Sequence, residues 1–213
     1  MTIIIDDAGS GDLLFGVVIG AYREETDQFT YEMLDVKYYQ ELFCEKTYLR
    51  EASRIIFKLI KKLKRKPQEE IQICQGSIFD KAADDLKRDY GKEVISRVRV
   101  TGEPQRLIET SYLDEIRNLG YEPISDRESK RAKSFFHMMR WIKTNPIRLK
   151  FAKTGWPRLQ RYKLFNQTKN KNLSSKVACN KCGKSCEISF KPDRNRYVLC
   201  NECRRKNKIL RKI

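Results

Sequence analysis

Two groups of residues in this 213-residue chain have the type and spacing to do chemistry. The first is Cys179-x-x-Cys182, followed after seventeen residues by Cys200-x-x-Cys203. Each Cys-x-x-Cys turn directs two thiolates at one point. Four such thiolates make the closed tetrahedral set of a structural zinc site, not a catalytic one with an open position. Gly183 suits the tight turn after the first pair. The second group is Asp6-Asp7, which closes the β-branched run Ile3-Ile4-Ile5. Carboxylates are poor strand residues and costly to bury unpaired, so Asp6 at the end of such a strand demands a partner.

The remaining cysteines add no chemistry. Five of the seven crowd into Cys179–Cys203, where Cys186 fits the ligand spacing less well and is left out of the set. Cys44 and Cys74 sit among apolar residues and read as buried thiols. The lone His137 lies in Phe135-Phe136-His137-Met138-Met139, an apolar helical patch, and reads as a packed or surface imidazole and not a catalyst. There is no nucleophile elbow and no phosphate-binding glycine loop; Gly9-x-Gly11 is too short to count as one.

The elements that must position the acids follow from periodicity. Gly9 and Gly11 allow a reversal after Asp7, and Leu13 to Tyr22 resumes an apolar strand. Gln28 to Val36 alternates as a third strand, and Tyr38 to Cys44 is aromatic and irregular. From Lys46 to Lys64, apolar residues recur at spacings of three and four, the pattern of an amphipathic helix. Ile71 to Phe79 reads as a strand with Gly76 inside it. Asp80 is placed to cap a helix from Lys81 to about Tyr90. Val94 to Val100 is a fifth strand, and Gln105 to Leu119 a helix with Gly120 at its C-cap. The order βββαβαβα implies a mixed-sheet α/β layer fold over residues 1–125.

That order resembles the ribonuclease H-like fold, and the opening Asp6-Asp7-Ala8-Gly9-Ser10-Gly11 is similar to the first motif of type-2 ribonucleases H, Asp-Glu-Ala-Gly-Arg-Gly. Two of the six positions differ, Asp7 for Glu and Ser10 for Arg. The resemblance implies a Mg- or Mn-dependent nuclease whose acids come from the first strand, the first helix, the end of the fourth strand and the last helix. Carried onto this chain, those are Asp6 and its neighbour Asp7, Glu51 or Glu45, Asp80, and Glu109 or Asp114. Two-metal phosphodiester hydrolysis needs several carboxylates converging on cations about 4 Å apart. Each also has a plainer reading: Asp80 as a helix cap, Glu51, Glu109 and Asp114 as solvated helix faces.

Charge divides the chain. Residues 1–126 carry 19 Lys and Arg against 24 Asp and Glu, a net of −5, whereas residues 127–213 carry 26 against 4, a net of +22. A self-repelling cationic half calls for a polyanion. Residues 126–170 form a basic aromatic arm and linker, with a helix over Ser129–Lys143 stopped at Asn145-Pro146. Its candidate nucleic-acid contacts are Lys130, Arg131, Arg140, Arg148, Lys150, Trp156, Arg158, Arg161, Tyr162 and Lys163, cations for phosphates and rings for unpaired bases. Residues 171–213 form the zinc ribbon and its basic tail, adding Arg204 and Arg205. The Phe190-Lys191-Pro192 and Tyr197-x-x-Cys200 elements are similar to one group of zinc ribbons.

No apolar run reaches the roughly 20 residues that span a bilayer, and MTIIIDD lacks the features of a signal peptide, so a cytoplasmic protein is expected. The expected partner is nucleic acid, RNA before DNA, with the ribosome or another ribonucleoprotein as a further candidate. Two functions stay open: a metal-dependent nuclease, or a non-catalytic RNA- or ribosome-associated zinc-ribbon factor on a degenerate ribonuclease H-like scaffold.

Overall fold

The computed structural model describes residues 1–125, 127, 129–165, 175–188, 199, 200 and 203. They fall into two compact units, Met1–Trp156 and Pro157–Ile213.

The first unit is built on a five-stranded mixed sheet. Its strands are β1 (Thr2–Ala8), β2 (Val17–Arg23), β3 (Gln28–Leu34), β4 (Glu70–Cys74) and β5 (Ile95–Val98), in the spatial order β3-β2-β1-β4-β5. β1–β2 and β2–β3 pair antiparallel; β1–β4 and β4–β5 pair parallel, so β1 is central. The parallel pairs need crossovers, and helices α1 (Thr47–Lys62) and α2 (Asp80–Tyr90) supply them. Ile3 and Ile5 of β1, Ile71 and Ile73 of β4 and Val17, Ile19 and Ala21 of β2 face Ile56, Leu59 and Leu86 of these helices in one apolar core.

Helix α3 (Glu103–Asn118) covers the other face of β1 and β2. Its approach is close: a Cβ on Gly20 would come within 2.4 Å of Ile108, and one on Gly9 within 2.2 Å of the Tyr112 ring. Gly9 also has φ +88°, so the turn after the acid pair needs glycine twice over. The helix ends in a Schellman motif, with Gly120 at φ +85° and the Tyr121 amide donating to the Ile116 carbonyl at 3.1 Å.

Several boundaries differ from the expectation. β2 begins only at Val17, because Leu14 bridges Ala152 instead and Phe15 takes a positive φ. β4 stops at Cys74; Gly76 and a 3-10 turn over Ser77–Phe79 separate it from α2. Asp80 is the first residue of α2, and its carboxylate does not cap the helix but pairs with Arg97 at 3.2 Å. Helix α4 (Arg131–Thr144) lies within the first unit, where Trp141 packs against Phe15, Tyr121 and Phe151 at centroid distances of 5.9, 5.5 and 6.1 Å. His137 is half-buried, and its Nδ1 lies 2.9 Å from the Tyr121 hydroxyl, so of the two expected settings it takes the packed one.

In the second unit the described strands β6 (Ser175–Ala178) and β7 (Ser185–Ile188) form an antiparallel hairpin. Among the described residues of the chain, no helix is long and apolar enough to cross a membrane.

Candidate functional sites

At the C-terminal end of β1 a cavity of about 340 Å³ opens between the glycine turn and α3. It gathers Asp6, Asp7 and Glu109 with Asp12, and Arg99, Arg127 and Arg131 also line it. Strand geometry sends consecutive side chains to opposite faces. Asp6 lies on the α3 side, buried, and accepts a hydrogen bond from the Cys74 thiol of neighbouring β4. Burial and that bond to a carboxylate push the Cys74 thiol up to about 11. Asp7, half-buried, turns toward Gly76 and bonds Ser10. Burial raises its carboxyl to about 6, the Asp6 charge adds to the rise, and Ser10 and Lys153 only partly oppose it.

Two cations are set among these acids. The Arg127 guanidinium, 9% exposed, donates to both Asp12 and Glu109 and stacks on Tyr112 with its Cζ 4.9 Å from the ring centroid. Burial works against its charge, but the two carboxylates outweigh burial and hold the guanidinium above its ordinary value. Lys153 is wholly buried; its Nζ donates to the Gly9 carbonyl at 2.6 Å and reaches the Ser10 carbonyl at 3.5 Å. Burial pulls its ammonium down to about 7 against the favourable charges of Asp12 and Asp7. The backbone fixes it there, since the Lys153 amide donates to Leu13 and the Phe15 amide to Phe151.

Glu51 and Asp80, expected beside these acids, do not line the cavity. Glu51 makes a local pair with Arg54 on α1 at 2.6 Å, which holds its carboxyl below the usual range. Asp80 lies one 3-10 turn beyond the strand end, its carboxylate largely exposed. Asp114, the alternative to Glu109, is also largely exposed and pairs with Arg117 at 3.5 Å. Asp12, Arg127 and Lys153 were not read from the sequence. Asp12, five residues after Asp7 in the same turn, carried a usable signal; the other two are brought in only by the folded chain.

Among the described residues, the groups of three or more metal-ligating side chains drawn together reduce to one: Cys179, Cys182, Cys200 and Cys203, with sulfurs within 4.8 Å of one another. The first pair sits at the reversal of the β6–β7 hairpin. There the Gly183 amide donates to the Cys179 carbonyl at 2.9 Å and the Cys179 amide to the Lys184 carbonyl at 2.9 Å. The Cys200 amide donates to Cys179 Sγ at 3.2 Å. The expected hairpin between the two pairs falls on residues outside those described; the described one brackets the first pair. Cys186 is not part of the cluster.

The cationic candidates are placed as follows. Lys130, Arg131, Arg140 and Lys150 are exposed on the first unit, and Trp156 is half-buried there. Arg148 is committed to helix α4: its guanidinium donates to the Trp141 carbonyl and Thr144 hydroxyl and stacks on Trp141 at 4.3 Å. In the second unit Arg158, Arg161 and Lys163 are exposed, and Arg161 lies 5.1 Å over the Tyr162 ring. Arg204 and Arg205 lie outside the described residues.

A family model described as a probable treble clef zinc finger matches residues 174–208. With the four-cysteine cluster, it makes the C-terminal clamp a structural zinc site of zinc-finger type. Comparison with curated proteins gave no match.

Proposed function

We propose that this protein binds nucleic acid, RNA before DNA, and hydrolyses its phosphodiester bonds at the acidic cavity of a ribonuclease H-like unit. The observation that carries this reading is the gathering of Asp6, Asp7 and Glu109 at the end of the central strand of a β3-β2-β1-β4-β5 sheet. The carboxylate donor set suits a hard divalent cation such as Mg²⁺ or Mn²⁺. The Asp7 carboxyl is raised chiefly by burial, with the Asp6 charge adding to the rise, so a cation beside it would favour the ionised form. The three acids line one cavity but do not converge as the zinc thiolates do; an ion that drew them together would supply charge stabilisation to the phosphoryl oxygens and an activated water. Arg99 and Arg131 lie in the same wall and offer phosphate contacts. The zinc finger and the basic half supply further contacts to the polyanion.

A specific observation favours the second reading, a non-catalytic factor bound to RNA, the ribosome or another ribonucleoprotein: Arg127 already spans Asp12 and Glu109. Incubation of the full chain with labelled RNA, DNA and hybrid in Mg²⁺ or Mn²⁺ separates the two. Metal-dependent cleavage that falls at least about 100-fold in Asp6→Asn, a loss of roughly 2.7 kcal/mol of transition-state stabilisation, is expected for the nuclease. Salt-sensitive binding without cleavage leaves the non-catalytic factor.

A further inference from the structure

Behind the same glycine turn lies a second cavity, of about 330 Å³, the size of a small-ligand site. Its wall is aromatic. Tyr39 and Phe43, from the 3-10 turns between β3 and α1, and Tyr48, in the first turn of α1, lie nearly parallel: Phe43–Tyr48 centroids are 5.4 Å apart at 14°, and Tyr39–Tyr48 5.2 Å apart at 28°. Trp156 lines the cavity as well. Phe43, Tyr48 and Trp156 are each only half-buried; Phe43 and Tyr48 pack on the core and leave part of each ring accessible.

The two cavities share a wall, Ser10 and Gly11. Asp7 also borders both, since it lines the first and its Oδ1 lies 3.5 Å from where a Cβ on Gly76, a residue of the second, would be. The aromatic wall is fastened to the acidic turn by Lys153. Its Nζ sits 4.6 Å from the Tyr39 centroid and 5.4 Å from that of Trp156 while it donates to Gly9. The Gly155 amide, donating to the Tyr39 carbonyl at 2.9 Å, closes the stitch.

We propose that this aromatic cavity binds an unstacked nucleobase next to the phosphodiester at Asp6 and Asp7, so that the substrate is single-stranded or locally unpaired. The inference rests on the phosphodiester reading above and narrows its substrate class. The three rings already stack on one another, so a planar heteroaromatic ring would extend the stack on an accessible outer face, which a base-paired nucleotide cannot reach.

The test measures binding of the full chain, without added Mg²⁺ or Mn²⁺, to a fluorescein-labelled single-stranded 12-mer, the same strand built from abasic nucleotides, and a blunt duplex. The abasic strand keeps every phosphate and loses every ring. Wild type should bind the base-bearing strand about ten-fold more tightly than the abasic one, given the energy of one stacked base. That ratio should fall to about two-fold or less in Phe43→Leu/Tyr48→Leu. Trp156→Leu, which alters another lining residue of the cavity, gives a second reading should the double variant lose its folding transition. Equal affinity of wild type for both strands, or a ratio undiminished in folded variants, overturns the inference while metal-dependent cleavage would leave the nuclease reading standing. Failure to bind any strand would remove both.

Discussion

The zinc clamp and the acidic cavity are both clusters of ligand-type side chains, yet they are built in opposite ways. The clamp draws its four thiolates from one short stretch whose spacing sets its geometry, and it ends with every ligand committed. The cavity draws Asp6 and Asp7 from β1, Asp12 from the turn, Glu109 from α3 and Arg127 from far along the chain, with Lys153 buried beneath its turn. Its charges stay out of balance: an aspartate held toward neutrality, a lysine held toward neutrality, and an arginine shared between two carboxylates. A closed site with settled charge is what a structural role needs. A cleft of perturbed acids and bases, assembled at some cost to the fold, is where chemistry is expected.

The largest effect should come from removing zinc. Structural zinc in small fingers contributes roughly 10–16 kcal/mol, and so small a unit has little core of its own. Chelation, or Cys200→Ser, should therefore expose residues 174–208 to limited proteolysis while the thermal transition of the sheet unit stays in place. Loss of both units together would show that the clamp is not the independent structural site described.

Next in size is Arg127→Ala. Its removal leaves Asp12 and Glu109 partly buried without their shared cation, a defect costing about 3 kcal/mol for such a pair. Added Mn²⁺ should then recover part of the lost melting temperature, and more in the variant than in wild type, because the freed carboxylates gain a cation to coordinate. No recovery with Mn²⁺ would mean that the acids are held by arginine as a structural pair and take no metal.

The same contrast explains what could be read in advance. Cysteine spacing is a local signal, so the zinc ligands were legible outright. So were the helices, whose apolar stripes at α1 and α3 match the residues now buried, and Asp6, misplaced at the end of an apolar strand. Lys153 was not legible: nothing around it in sequence distinguishes a buried lysine from its exposed neighbours, and only the bridge between Leu14 and Ala152 carries it under the glycine turn. Arg127 likewise was one cation among the 26 of residues 127–213, with nothing to set it apart. Asp80 misled because Ile71–Phe79 reads as one apolar run, whereas the strand stops at Cys74 and a 3-10 turn over Ser77–Phe79 sets Asp80 apart from its end. Tyr39 and Phe43 lacked any period, since two 3-10 turns bring their rings onto Tyr48 in the first turn of α1.

The smallest effect is the most diagnostic of how the cavity carries its charge. The Asp7 carboxyl rises from 3.8 to about 6 on folding. A raised acid favours folding most fully below its unfolded value, and that contribution is lost as pH climbs through about 6, so above this the fold carries an ionised carboxylate at a cost. Two units correspond to nearly 3 kcal/mol, reduced to about 2 for a half-buried group. Asp7→Asn cannot ionise and should therefore be more stable than wild type by about 2 kcal/mol in urea unfolding near pH 7.5, the gain vanishing near pH 4. Gained stability together with lost cleavage would mark Asp7 as a charge kept for chemistry. If the variant were less stable at both pH values, Asp7 would be a structural acid satisfied by Ser10 and Lys153, and the cavity would then resemble the clamp: a closed arrangement with its charges already matched.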